Sequence, residues 1–215
     1  MRPIFLALAA VLLAGCASDP QLDARYRNLL PLGRSTERAP VPEFLAARQA
    51  SAPSLAGAVE SRPETIGIFL RQRHANAAGV STWIGTDGAQ LLLQDGILVG
   101  TRGFGADVMA SDVSESAALI HGLGSGTTTR VMTLLDGDDH AVSRALRCTI
   151  VPYGTDTVPL RDRTVTTRTM TETCRNADIQ FSNYYWVAPG SGEILQSSQW
   201  AGELTQKISL RVYAR

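Results

Sequence analysis

Two Asp-Gly dipeptides, Asp87-Gly88 and Asp95-Gly96, stand between short apolar or alternating runs: GVSTWIG before the first, AQLLLQ between them and ILVGTRG after the second. A two-residue type I′ turn needs positive φ at both central positions, which Asp-Gly tolerates and most pairs do not. Such spacing ties the three runs into consecutive antiparallel strands and leaves no room for helices or parallel crossovers. IGIFLRQ (66–72) precedes them as a fourth strand.

The pattern resumes further on with TTRVMTLL (128–135), HAVSRALRCTIV (140–151), RTVTTRTMTETC (163–174), IQFSNYYWVA (179–188), EILQSSQW (193–200) and LTQKISLRVY (204–213). The turn segment 136–139 and a loop at YGTDTVP (153–159) separate the first of these. Threonines alternating from Thr164 to Thr173 suit a pleated, half-solvated surface, because β-branched side chains pack well there. Between the two sets, Ser114 to His121 reads as two helical turns, with Ser111 or Ser114 as N-cap and Gly122 ending the helix. The expected fold is mainly all-β: an antiparallel meander of nine or ten strands forming a curved sheet or half-barrel, with one or two short helices. Only closure, curling or a covering helix hides the edges of such a meander.

Ahead of this domain the chain changes character. MRPIFLALAAVLLAGC begins with Arg2, continues with an apolar run from Ile4 to Leu13 and ends on Ala14, Gly15 and Cys16. The run is shorter than the roughly 20 residues a bilayer span requires, and its three parts are those of a secretory signal. Leu13-Ala14-Gly15-Cys16 also resembles the bacterial lipobox, in which cleavage follows the glycine and the cysteine thiol is acylated. The plainer alternative is an ordinary signal peptide with an incidental cysteine. On the lipobox reading, residues 1–15 are removed and Cys16 is the lipidation site. One acyl chain anchors only marginally and two or more hold firmly. Ala17, rather than aspartate, after the cysteine points to the outer membrane with the protein facing the periplasm. Residues 16–63, with prolines at 20, 31, 40, 42, 53 and 63, read as a tether with short helical turns at 22–30 and 43–49, and residues 64–215 as the β domain.

Twenty basic and twenty acidic residues cancel, so no net field attracts nucleic acid or anionic lipid. Cys148 and Cys174 both fall in strand-like runs, in a compartment where disulfides persist. A bridge, a pair of buried free thiols and a metal pair are the readings of these two residues. The scattered histidines His74, His121 and His140 and the absence of Cys-x-x-Cys give a zinc site no support.

Candidate chemistry is sparse. The glycine-rich stretch 122–127 lacks the Gly-Lys-Ser/Thr ending of a phosphate loop and precedes a strand. Ser125 does not sit in Gly-x-Ser-x-Gly. Residues 136–140 lack most of a calcium loop and read as a turn. Asp87, Asp95, Glu172 and Glu193 supply no evident pair of facing carboxylates for glycoside hydrolysis. No catalytic residue, metal or cofactor is therefore expected. Residues 103–109, GFGADVM, read as a binding loop or as a bulged reversal with Phe104 and Met109 entering the core. The closing hairpin NYYWVAPGSGEILQSSQW carries two of three tryptophans; with Ser191 at the turn centre, Trp186 faces Gln196 and both tryptophans share one side of the sheet. That face is either core or a sugar-stacking surface, and Trp83, Phe104, Tyr185, Trp186 and Trp200 are the candidate ligand or partner residues.

Cys16, TWIGTDGAQLLLQDGILVGTRGFGADVMA (82–110), the cysteine pair and the closing hairpin, in that order, resemble the YjbF/GfcB family of group 4 capsule and exopolysaccharide lipoproteins. Gly96-Ile97 departs from the Gly-Arg common in that family before the fourth strand. The resemblance implies a non-enzymatic outer-membrane lipoprotein working beside an outer-membrane β-barrel and periplasmic proteins in polysaccharide export. It also implies lipidation at Cys16 and a bridge between Cys148 and Cys174. The alternative is a carrier that holds lipid or glycan on a concave sheet face.

Overall fold

The structure, a computed structural model, describes residues 53–62, 67–71, 76, 79–135, 138 and 140–214. The signal peptide, Cys16 and the two helical turns expected before residue 50 lie outside the described residues. Twelve strands form one antiparallel sheet: β1 (Ser54–Val59), β2 (Gly67–Arg71), β3 (Val80–Ile84), β4 (Gln90–Gln94), β5 (Ile97–Arg102), β6 (Val108–Asp112), β7 (Gly126–Leu135), β8 (Ala141–Pro159), β9 (Thr164–Arg175), β10 (Gln180–Val187), β11 (Ile194–Trp200) and β12 (Lys207–Ala214). Among the described residues one helix, α1 (Ser114–His121), lies between β6 and β7. The spatial order β5-β4-β3-β2-β1-β12-β11-β10-β9-β8-β7-β6 is two meanders joined where β1 pairs with β12.

Two strands escape the sequence pattern. β1 lies inside the proline-rich segment read as tether, so the sheet begins at Ser54 and not at residue 64. β6 lies in a stretch read as loop, and YGTDTVP continues β8 instead of interrupting it. Asp95-Gly96 forms the expected two-residue turn, with φ of 50° and 88°. Asp87-Gly88 does not. Only Gly88 has positive φ (85°), and Gly85 N–H bonds Ala89 O at 2.8 Å across a longer loop. Asp87 Oδ1 instead accepts the Ala89 N–H at 3.0 Å. The helix spans the expected residues, but its N-cap is Val113, and the Asp112 carboxylate accepts from Ser114 N–H and Oγ–H instead.

The sheet curls until its edges β5 and β6 meet, and the seam is closed by side chains. The Arg102 guanidinium donates to the carbonyls of Thr101, Val108 and Met109. Thr101 Oγ1 accepts Val108 N–H at 3.0 Å and donates to Asp107 Oδ1 at 2.7 Å. Gly100 permits the approach: a Cβ there would lie 3.3 Å from the Val108 carbonyl oxygen.

β5 is buried along nearly its whole length. Leu98 packs with Leu55, Phe69, Leu91, Ile208 and Leu210 on one side, whereas Ile97 and Val99 pack with Ile120, Ile150, Met170 and Tyr185 on the other. A third cluster, Met132, Leu146, Phe181 and Trp200 among it, surrounds Cys148 and Cys174. An edge strand placed inside a core has backbone groups that water cannot reach, and leaving one unpaired costs about 1–3 kcal/mol. Buried side chains satisfy them here. Gln199 Oε1 accepts Leu98 N–H at 2.7 Å and Gln199 Nε2 donates to Gly96 O at 2.9 Å, while Arg130 donates to Leu98 O at 2.7 Å.

Candidate functional site

One mouth of the curled sheet is a cleft of about 800 Å³. It gathers the C-terminal end of β2, the start of β3, the end of β4, and the turns β4–β5 and β10–β11. Strand alternation places Leu55, Trp83, Leu93 and Val212 on the inward side, as the cross-strand pairs Leu55–Val212, Arg71–Trp83 and Trp83–Leu91 require. Trp83 is half-buried, and its Nε1–H donates to Ser81 Oγ at 3.0 Å. Ser81 in turn donates to Leu93 O at 3.1 Å, so the indole is held on two successive bonds. The Arg71 guanidinium stands 6.0 Å from the ring centroid, the outer limit of a cation–π contact.

Asp95, Glu193 and Ser191 bring polar groups to the rim of this mouth. Asp95 owes its position to the left-handed φ of its turn. His121, at the end of α1, binds the β10–β11 turn through Nδ1 and Gly192 O at 2.7 Å, and its buried Nε2 has no partner among the described residues. Gly192 is confined to glycine twice over: φ is 70°, and a Cβ would stand 2.9 Å from the His121 carbonyl oxygen.

A second, smaller cleft of about 520 Å³ opens at the opposite ends of β1 to β4, beside Phe69 and Phe104. Phe104 packs against the first core cluster, and its loop is tied down by Asp107, whose carboxylate accepts N–H from Gly103 (2.8 Å) and Phe104 (3.2 Å). Of the two readings of this loop, the bulged reversal fits the bonds observed, with Phe104 against the core as expected but Val108, not Met109, buried within it.

The remaining candidates divide. Tyr185 and Trp200 cannot serve as a ligand or partner surface, because they are 0% and 6% exposed. Trp186 faces Gln196 as expected, but the two tryptophans do not share a face. Trp200 stacks on Phe181 at 4.8 Å within the core, while Trp186 donates its indole N–H to the exposed Asp156 carboxylate at 2.9 Å, holding that carboxyl below its ordinary range. The reason is local. The β10–β11 ladder stops at Tyr184–Ser198, and the Trp200 N–H goes to Asn183 Oδ1 at 2.8 Å, so alternation fails at the strand end.

Cys148 and Cys174 face each other across β8 and β9 with Cα atoms 4.0 Å apart and form a disulfide. The bridge rules out the free-thiol and metal-pair readings of these residues, even though a Glu172 carboxylate oxygen lies within 4.8 Å of both sulfurs. Glu172 is wholly buried. Its Oε2 accepts from Arg130 (2.9 Å), Asn183 (2.8 Å) and the Tyr185 hydroxyl (2.9 Å), and Oε1 has no partner. Burial alone would raise the carboxyl's pKa, but the Arg130 charge and these hydrogen bonds outweigh it and hold it below 4.5. Burial, followed by the Glu172 charge, pushes the Tyr185 hydroxyl well above 10. A carboxylate so held is a counter-ion for the arginine that caps β5, with no access for a substrate. The sequence offered no sign of Arg130 or Gln199 as internal caps, since nothing in an alternating strand marks a polar residue as inward.

Residues 40–212 match the family model described as group 4 capsule polysaccharide lipoprotein GfcB, YjbF. The chain belongs to the YjbF family. No curated protein matches it. Among solved structures, the hypothetical lipoprotein YmcC from Escherichia coli (K12) has the same fold, with a TM-score of 0.64 at 20% identity over 79% of this chain and 89% of that one. The family is thus one of capsule polysaccharide lipoproteins, and no described helix is long and apolar enough to cross a membrane.

Proposed function

We propose that this YjbF-family protein is a lipid-anchored, periplasm-facing accessory of capsule or exopolysaccharide export at the outer membrane, and that it performs no catalysis. The observation that carries the reading is the family match over residues 40–212, preceded by the lipobox-like Leu13-Ala14-Gly15-Cys16. Acyl chains on Cys16 hold the domain at the membrane. The curled sheet then works as a rigid body beside an outer-membrane β-barrel and periplasmic export proteins.

The non-catalytic part is supported by the burial of Glu172. Glu172 is sealed in the core, and Asp107 and Asp112 are engaged with backbone and hydroxyl donors. General acid–base chemistry needs a carboxyl within reach of a substrate, and the sealed Glu172 does not offer one.

Deleting the gene tests the role. Secreted polymer is expected to fall at least tenfold under producing conditions, while polymer retained inside the envelope rises. Unchanged secretion would overturn the export role, and loss of both pools would place the protein in synthesis instead.

A further inference from the structure

We propose that the cleft at the Trp83 mouth is a saccharide-binding site that takes a short, uncharged pyranose segment of a polysaccharide chain. The inference rests on the export reading only for the origin of that chain.

Four observations carry it. The cleft's volume of about 800 Å³ lies in the range of small-ligand sites, roughly 300–1,000 Å³, and barrel mouths are a favoured place for them. Trp83 is oriented in advance by Ser81 and Leu93. A sugar ring presents a face of C–H groups, and a fixed, half-exposed indole is the surface on which such a face packs without loss of side-chain freedom. Among the described residues the Asp95 carboxylate has no hydrogen bond or ion pair, although its turn holds it at the rim. A carboxylate accepts two hydrogen bonds side by side, which matches adjacent hydroxyls of one ring. Finally, His121 contributes to the same lining and ties the β10–β11 turn through Nδ1 and Gly192 O at 2.7 Å, so that side of the mouth is formed in advance.

The charge of the lining selects among ligands. Asp95 brings to the rim a carboxylate with no partner among the described residues, so an anionic headgroup or a uronic acid placed against it meets repulsion. A hydrocarbon chain would cover Leu55, Leu93, Ile194 and Val212 but would also bury the Asp95 carboxylate without a partner, which is unfavourable for a charge. A polyhydroxylated ring with one apolar face meets both halves of the lining.

The test uses the full mature chain carrying Cys16→Ala, which needs no detergent. Its three tryptophans give three indole N–H resonances. The probes are oligosaccharides from partial hydrolysis of the source strain's own polymer, cellohexaose as a neutral reference, and dihexanoyl phosphatidylcholine. Polymer fragments are expected to shift the Trp83 resonance saturably while Trp186 and Trp200 stay in place. Trp83→Ala should weaken binding at least tenfold, and Asp95→Asn, which keeps a residue tolerant of the left-handed turn, about threefold to tenfold. No Trp83 shift up to millimolar fragment, undiminished binding by Trp83→Ala, or a shift with the phospholipid alone each overturns the assignment. Secretion lost on gene deletion without fragment binding removes the site and leaves the export role; binding without a secretion defect does the reverse.

Discussion

At the scale of single residues, the decisive feature is a charged pair enclosed for the sake of a strand. Arg130 and Glu172 are 1% and 0% exposed, a placement whose desolvation cost the ion pair alone seldom recovers. The arginine is retained here because it also donates to Leu98 O and Ser111 Oγ, closing the inner edge of β5. Arg130→Met should lower the unfolding free energy by about 3–5 kcal/mol, because it strands a buried carboxylate. Adding Glu172→Met should recover part of that loss but not all, since Leu98 O stays uncapped. Urea denaturation measures both, and a single-variant loss under about 1 kcal/mol would refute this role. The pH dependence has a definite sign. Glu172 titrates below its ordinary 4.5 in the folded state, so its contribution is complete above that pH and fades as acid protonates the unfolded chain first. Tyr185 titrates above 10 when folded, so its contribution is lost as pH rises beyond 10. Sequence patterning could not reveal this pair, because apolar alternation in β7 and β9 is silent on which polar residue turns inward.

At the scale of elements, the β8–β9 hairpin is the longest in the sheet, paired from Arg147–Arg175 to Pro159–Thr164. The disulfide crosses it near its base, inside the third core cluster. Replacing both cysteines by alanine should cost about 3 kcal/mol on the chain-entropy estimate. Denaturation under oxidising conditions reads this directly, and a reducing agent should produce the same loss in the wild type but none in the variant. A wild type insensitive to reductant would contradict it. The elements themselves were largely legible. Ten strands and α1 followed from alternation, β-branched runs and turn glycines. β1 was hidden by the surrounding prolines, and its Gly57 explains the composition: a Cβ there would lie 2.8 Å from the Phe69 ring. β6 was hidden because it is short and its residues Ala110, Ser111 and Asp112 carry no β propensity.

At the scale of the whole molecule, a curved antiparallel sheet was foreseeable from consecutive hairpins, but its closure was not. Closure depends on Arg102 reaching two carbonyls across the β5–β6 seam and on β5 entering the core, and both are tertiary events without a local signature. The candidate site was legible only in Trp83. Asp95 is accounted for as a turn residue by its dipeptide alone, and Arg71 and His121 join it only when strands distant in sequence converge. The central claim is that this assembled domain acts in polysaccharide export while tethered through Cys16. The most direct measurement is polymer secreted by the deletion strain carrying either the wild-type gene or Cys16→Ala, with the location of each protein followed by membrane fractionation. Wild type is expected in the outer-membrane fraction with secretion restored, and Cys16→Ala soluble in the periplasm with secretion near the deletion level. Full secretion from a soluble Cys16→Ala protein would contradict it.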